Sequence, residues 1–214
     1  MGQQIDSAMP KPRYQRRKEE RPAEITQAAM EAFAAKGYAA TKVEDVAKRA
    51  GVSKGLLYLY FKTKEELFKA VILNFISPHL DALIRDIENT ELSAEQFLRG
   101  PFLAFAKSVP RSPARVLVRL MIAEGPRHPD LVTWYWENVV SKGLKAITTV
   151  LEKGVRNGEF RRSALHEFPQ LLVSPILLAT VWTQVFDAHE KLDTDRLMES
   201  HINLTLNSIK ASQQ

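Results

Sequence analysis

Residues 43 to 61 read VEDVAKRAGVSKGLLYLYF, and no other stretch of the chain restricts its fold as tightly. Two apolar-periodic runs, each too short to be a stable helix alone, are interrupted at Gly51 and restarted at Ser53. In the first run Val43, Val46, Ala47 and Ala50 share one face, and Glu44, Asp45, Lys48 and Arg49 take the other. Ser53 stands where an N-cap hydroxyl is needed for a helix over Lys54–Tyr60, in which Leu57 and Phe61, four apart, share a side. Helices this short need a base to pack on. The segment from 18 to 36 supplies one, with Ile25, Ala28, Ala29, Ala32 and Phe33 on one face and Gly37 as its stop. Thr63 then caps a fourth helix from Lys64, whose first turn holds Glu65 and Glu66 where negative charge suits the helix dipole.

The rest of the chain also reads as helix, because β-branched residues fall at helical spacing and the Asn157-Gly158 pair punctuates the end of a helical run and does not join two alternating strands. The expected segments are 64–88 with a kink near Pro78, 93–109 disturbed at Gly100-Pro101, 113–124, 129–157, 164–188 and 193–211. The fold class is therefore all-α. Three parts are expected: a flexible basic arm over 1–17, a helix-turn-helix unit over 18–68, and a larger helical unit over 69–214.

Charge separates these parts. Residues 1–64 hold 13 Lys/Arg against 7 Asp/Glu, a balance of +6, whereas residues 65–214 hold 17 against 18, a balance of −1. The whole positive excess lies where the short helices are, as expected of a chain with one end made for nucleic acid or with a solvated basic tail. The sequence has no cysteine, which removes disulfides, thiolate metal sites and cysteine nucleophiles and fits a reducing cytoplasm. No apolar run reaches the length of a membrane span, so a membrane is not an expected partner. The five histidines form no His-Glu-x-x-His pattern, and neither a glycine-rich phosphate loop nor a Gly-x-Ser-x-Gly elbow is present. No enzyme, cofactor or metal is expected.

Two short helices joined through a glycine turn have the dimensions of a helix-turn-helix, whose second helix enters a DNA major groove about 12 Å wide. On its open side Gly55 holds nothing between the backbone and the groove floor, Lys54 can donate to guanine, Leu56 can touch a thymine methyl, and Tyr58 and Tyr60 can reach phosphates. Lys64 and the first amides of the fourth helix form a second anion site. Each of these residues, taken singly, also reads as ordinary surface or packing.

Together they carry a resemblance. The run GYAATKVEDVAKRAGVSKGLLYLYFKTKEEL, Gly37 to Leu67, resembles the DNA-binding domain of the TetR family of bacterial transcriptional regulators through Tyr38, Thr41, Val46-Ala47, Ala50 to Ser53, Gly55, Leu57-Tyr58, Phe61, Lys64, Glu66 and Leu67. Tyr60 departs from that pattern, which has histidine there, as do Leu56 and Lys42. The resemblance implies that Thr41, Lys42, Tyr58, Tyr60 and Lys64 grip phosphates and that Ser53, Lys54, Gly55 and Leu56 read bases.

For the remaining two thirds the resemblance implies a helical ligand-binding domain whose last two helices pair with a second subunit. The nearly all-apolar LLVSPILLATVWTQVF, residues 171–186, independently requires cover on more than one side. Phe102, Phe105, Met121, Trp134 and Trp182 are the expected cavity residues, with Glu124 at the break before His128 able to fix a polar group. Trp134 and Trp136 stand two apart and cannot share a face, and Trp134 is the one assigned to the cavity. The expected function is a homodimeric repressor that binds an inverted-repeat operator on double-stranded DNA and is released by a small apolar or amphipathic effector. An activator, or a regulator answering to a protein partner, has the same sequence features.

Overall fold

The computed structural model describes residues 13–211, with side chains from residue 21 onward. Among these residues all regular elements are helical, and the one β-type pairing is an isolated antiparallel bridge between Phe160 and Lys210. The chain divides into two compact units, one ending at Val71 and the other beginning at Ile72, three residues beyond the expected boundary.

In the first unit α1 spans Arg13–Ala40, α2 Val43–Arg49 and α3 Lys54–Tyr60, and α4, Lys64–Phe75, begins there. The expected basic arm lies outside the described residues up to position 12, while from Arg13 the backbone already belongs to α1, which carries Pro22 inside it. Gly37 interrupts α1 at φ 80°, a conformation in which a side chain would be strained, and so performs the predicted stop. Ile25, Ala29, Phe33, Val46, Leu57, Leu67 and Phe68 are fully or almost fully buried. At their centre Phe33, Tyr38 and Phe68 form an aromatic cluster, with ring centroids 5.7, 5.1 and 4.9 Å apart and Phe68 edge-on to the other two. Burial of these residues ties the two short helices to α1 and compensates for their own marginal length.

The second unit contains α5 Ser77–Asn89, α6 Ala94–Phe97, α7 Leu103–Ser108, α8 Ala114–Glu124, α9 Pro129–Tyr135, α10 Ser141–Arg156, α11 Ala164–Glu167, α12 Gln170–Val185 and α13 Thr194–Ile209. The long runs read from the sequence are subdivided. The 64–88 run breaks at Ile76, leaving Pro78 in the first turn of α5, where its missing N–H costs nothing. The 164–188 run breaks at Phe168-Pro169. Wide π-helical turns occupy Leu98–Phe102, which contains Pro101, and Trp136–Val140. The core is formed by Phe97, Leu98, Phe102, Leu151, Phe160, Leu172, Met198 and Leu206. At one point α10 meets Phe160 so closely that a Cβ on Gly154 would lie 2.1 Å from its ring.

Candidate nucleic-acid interface and ligand cavity

The turn between α2 and α3 is built by local chemistry. Gly51 adopts φ 64°, and the Val52 N–H donates to the Ala47 carbonyl at 3.0 Å, closing α2. The Ser53 hydroxyl accepts from the Leu56 N–H at 3.1 Å, starting α3. Leu57 is completely buried, which points Lys54, Gly55, Tyr58 and Leu59 outward. Leu56 and Tyr60 are half-buried at the flanks.

Lys54, Lys64 and Thr41, three of the residues assigned to DNA, make contacts within the protein itself. The Lys54 ammonium is ion-paired with Glu44, which raises the lysine pKa and lowers that of the carboxylate, in both cases chiefly through their hydrogen bond. Lys64 donates to the carbonyls of Tyr38 and Ala39 at 3.0 and 3.1 Å and lies 4.6 Å over the Tyr38 ring. Its charge therefore closes the C-terminal end of α1, where lone carbonyls collect negative potential, and is not held free for a phosphate. Thr41 is 1% exposed, and its hydroxyl donates to Gly37 and Ala32 carbonyls at 2.7 and 3.2 Å. Thr41 and Lys64, expected to grip phosphates, are thus each held by carbonyls of α1, which gives both a packing role. Lys42, by contrast, is exposed just before α2.

Sequence reasoning missed Leu59, which is 75% exposed beside Gly55. Its signal was the four-residue spacing from Gly55, which places the two on one face of α3.

The second unit holds a partly open apolar cavity of about 370 Å³. Phe102, Phe105 and Met121 line it, together with Leu80, Leu83, Ile147 and Ile176, and no charged side chain does. The two π-helical turns lie in its wall, contributing Phe102 from one and Val139 and Val140 from the other. Glu124, Trp134 and Trp182 do not line it. Glu124 is 3.9 Å from the Arg127 guanidinium, and the Trp182 indole donates to the Glu190 carbonyl at 2.8 Å while packing on Phe186. The aromatic residue that α9 turns into the cavity is Tyr135, between the two tryptophans weighed from sequence. Val132, Tyr135 and Val139 recur at spacings of three and four and all line the cavity, which is the signal that would have selected it. Burial pushes the Tyr135 phenol up to about 12.

Among the described residues no group of three or more His, Asp or Glu could hold a metal ion, and no single helix is long and apolar enough to cross a membrane.

Comparison with known proteins gives matches in both units. The family "bacterial regulatory proteins, tetR family" matches residues 25–71, and "AefR-like transcriptional repressor, C-terminal domain" matches residues 96–207. The "HTH-type transcriptional repressor KstR2" of Mycolicibacterium smegmatis is 28% identical over 196 residues, covering 89% of this chain and 91% of that protein. KstR2 of Mycobacterium tuberculosis is 30% identical over 169 residues, covering 76% and 78% respectively. The crystal structure of FadR from Bacillus subtilis in complex with stearoyl-CoA has a TM-score of 0.73 at 22% identity, over 87% of this chain and 98% of that one.

Proposed function

The chain belongs to the TetR family of bacterial transcriptional regulators, and from that premise we propose that it is a homodimeric repressor released from an inverted-repeat operator by an apolar or amphipathic effector. The observation that carries this reading is the apolar cavity of about 370 Å³ in the same chain as a helix-turn-helix with an open outer face. Its volume lies in the range of small-molecule sites, roughly 300–1,000 Å³. Its apolar lining suits a hydrocarbon body such as the acyl chain of the stearoyl-CoA bound to the Bacillus protein.

On the DNA side, Ser53, Lys54, Gly55 and Leu56 read base edges, joined by Leu59, while Lys42, Tyr58 and Tyr60 hold phosphates. Thr41 and Lys64 act by holding the unit in shape. For the dimer, support comes from α12, which leaves Leu178, Val181 and Val185 37–57% exposed along one side, and from Leu204 on α13, 72% exposed. The effector acts by population shift: a ligand favouring one separation of the paired recognition helices spoils their match to half-sites at fixed spacing.

Gel-shift titration with DNA flanking the chain's own gene, at near-physiological salt, tests the reading. A sequence-selective shift that cross-linked dimers produce and apolar ligands reverse is expected. Equal affinity for random and flanking DNA would refute it. Within the site, Lys54→Ala should alter preference at particular base pairs by about 1–3 kcal/mol, whereas Tyr58→Phe should weaken all sequences by about 1 kcal/mol.

A further inference from the structure

Beyond the main cavity lies a second, smaller one of about 120 Å³, and the two share a wall that includes Phe105, Val118, Tyr135 and Ile176. The main chamber is lined by aliphatic and aromatic side chains, with the Tyr135 phenol as its one side-chain hydroxyl. The annexe adds His79, Ser108 and Ser112. The two serine protons are already spent: Ser108 donates to the Phe105 carbonyl at 2.7 Å and Ser112 to the Val109 carbonyl at 3.1 Å. His79 is exposed. Tyr135 alone faces both spaces with a hydroxyl that, among the described residues, neither donates nor accepts a hydrogen bond and keeps its oxygen open to the cavity.

A phenol that opens into an apolar cavity and has no partner from its own chain is left to water or to a ligand, and a ligand acceptor keeps that hydrogen bond where an apolar group displacing the water forfeits it. We propose that Tyr135 is the polar recognition group of the cavity, and that the effector is a neutral molecule with an apolar body and one hydrogen-bond acceptor, a ketone, ester or alcohol oxygen, seated against the phenol. The inference rests on the ligand-sensing reading above and narrows its chemistry. A pure hydrocarbon would leave the hydroxyl unpaired. A free carboxylate would enter a space where no lysine or arginine lines either cavity, at the desolvation cost of a buried unpaired charge. The apolar body occupies the main chamber and the acceptor points toward the annexe.

Isothermal titration of the full chain and of Tyr135→Phe with four size-matched probes tests this: butyrophenone, phenylbutanol, n-butylbenzene and phenylbutyrate. The wild type should bind the ketone and the alcohol more tightly than the hydrocarbon, and phenylbutyrate least tightly. Tyr135→Phe should lower affinity for the ketone and alcohol by roughly five- to tenfold, the value of one hydrogen bond, and leave n-butylbenzene unchanged. The free variant should melt no lower than the wild type, because it loses an unpaired hydroxyl and no contact, and this separates a recognition role from a structural one. Equal losses for ketone and hydrocarbon, or tightest binding of phenylbutyrate, would overturn the assignment while leaving ligand sensing intact. Failure of all four probes to bind the wild type would remove the sensing reading and the role of Tyr135 with it.

Discussion

The Lys54 ammonium at the first turn of α3 is ion-paired with the Glu44 carboxylate of α2, and it lies 5.8 Å from the Tyr58 ring centroid. The lysine assigned to base reading is therefore held by an acid on the neighbouring helix when DNA is absent. Both side chains are about half exposed, so the pair adds little to folding.

Glu44→Gln accordingly leaves the unfolding midpoint close to that of the wild type and tightens DNA binding at low salt, because it frees Lys54 and removes a charge that repels phosphate. Fluorescence anisotropy across a salt series checks this, and the gain should fade as the Debye length falls to about 10 Å near 0.1 M. A weaker complex would mean that Glu44 aims Lys54 at its base.

Thr41→Val separates packing from phosphate contact. The substitution keeps the shape and removes a buried hydroxyl that serves two α1 carbonyls. Chemical denaturation should show a loss of about 1–2 kcal/mol, with DNA affinity per folded molecule unchanged. A selective loss of DNA affinity without loss of stability would restore a phosphate role to Thr41.

Gly143 lies in the cavity wall on α10, and a Cβ there would stand 3.7 Å from Leu80 Cδ1, an ordinary contact. Gly143→Ala should raise stability by about 0.5–1 kcal/mol through helix propensity. Gly143→Leu should fill part of the chamber and weaken binding of the bulkiest effectors first, as melting-shift titrations would read.

Glu159 supports the start of α6, its carboxylate accepting from the Ala94 and Glu95 N–H groups at 3.1 and 3.0 Å. Partial burial alone would raise its pKa, but the hydrogen bonds, led by the Glu95 and Ala94 amides, outweigh burial and lower it from 4.5. A carboxyl whose folded value is depressed stabilises the fold above its unfolded value and loses that contribution as pH falls through the folded one. Glu159→Gln should therefore cost about 1 kcal/mol at neutral pH, and the difference should vanish below the carboxylate range. Unfolding curves at neutral and acid pH give the comparison.

The recognition turn was legible because its signals are local. Gly51, Ser53 and Leu57 each act on neighbours within four residues, and the hydrogen bonds and burial found there are the ones their spacing implies. The engagement of Lys64 was not legible, since its partners Tyr38 and Ala39 lie 26 and 25 positions away. The kink expected near Pro78 falls at Ile76, and the break at Phe168 divides a run read as continuous: proline marks a region of weakness, and packing decides the residue at which the helix yields.

The cavity shows the same division at larger scale. Aromatic residues at helical spacing read equally as core and as lining, and Phe102, Phe105 and Met121 entered the cavity whereas Trp134 and Trp182 did not. By itself the sequence determined the helical class, the helix-turn-helix and the apolar character of the second unit, because periodicity, caps and composition act over a few residues. Tertiary structure alone decided which lysines are tied to their own chain, which aromatic turns inward and where empty space remains, because those depend on side chains brought together from distant helices, whose rotation and spacing no local pattern encodes.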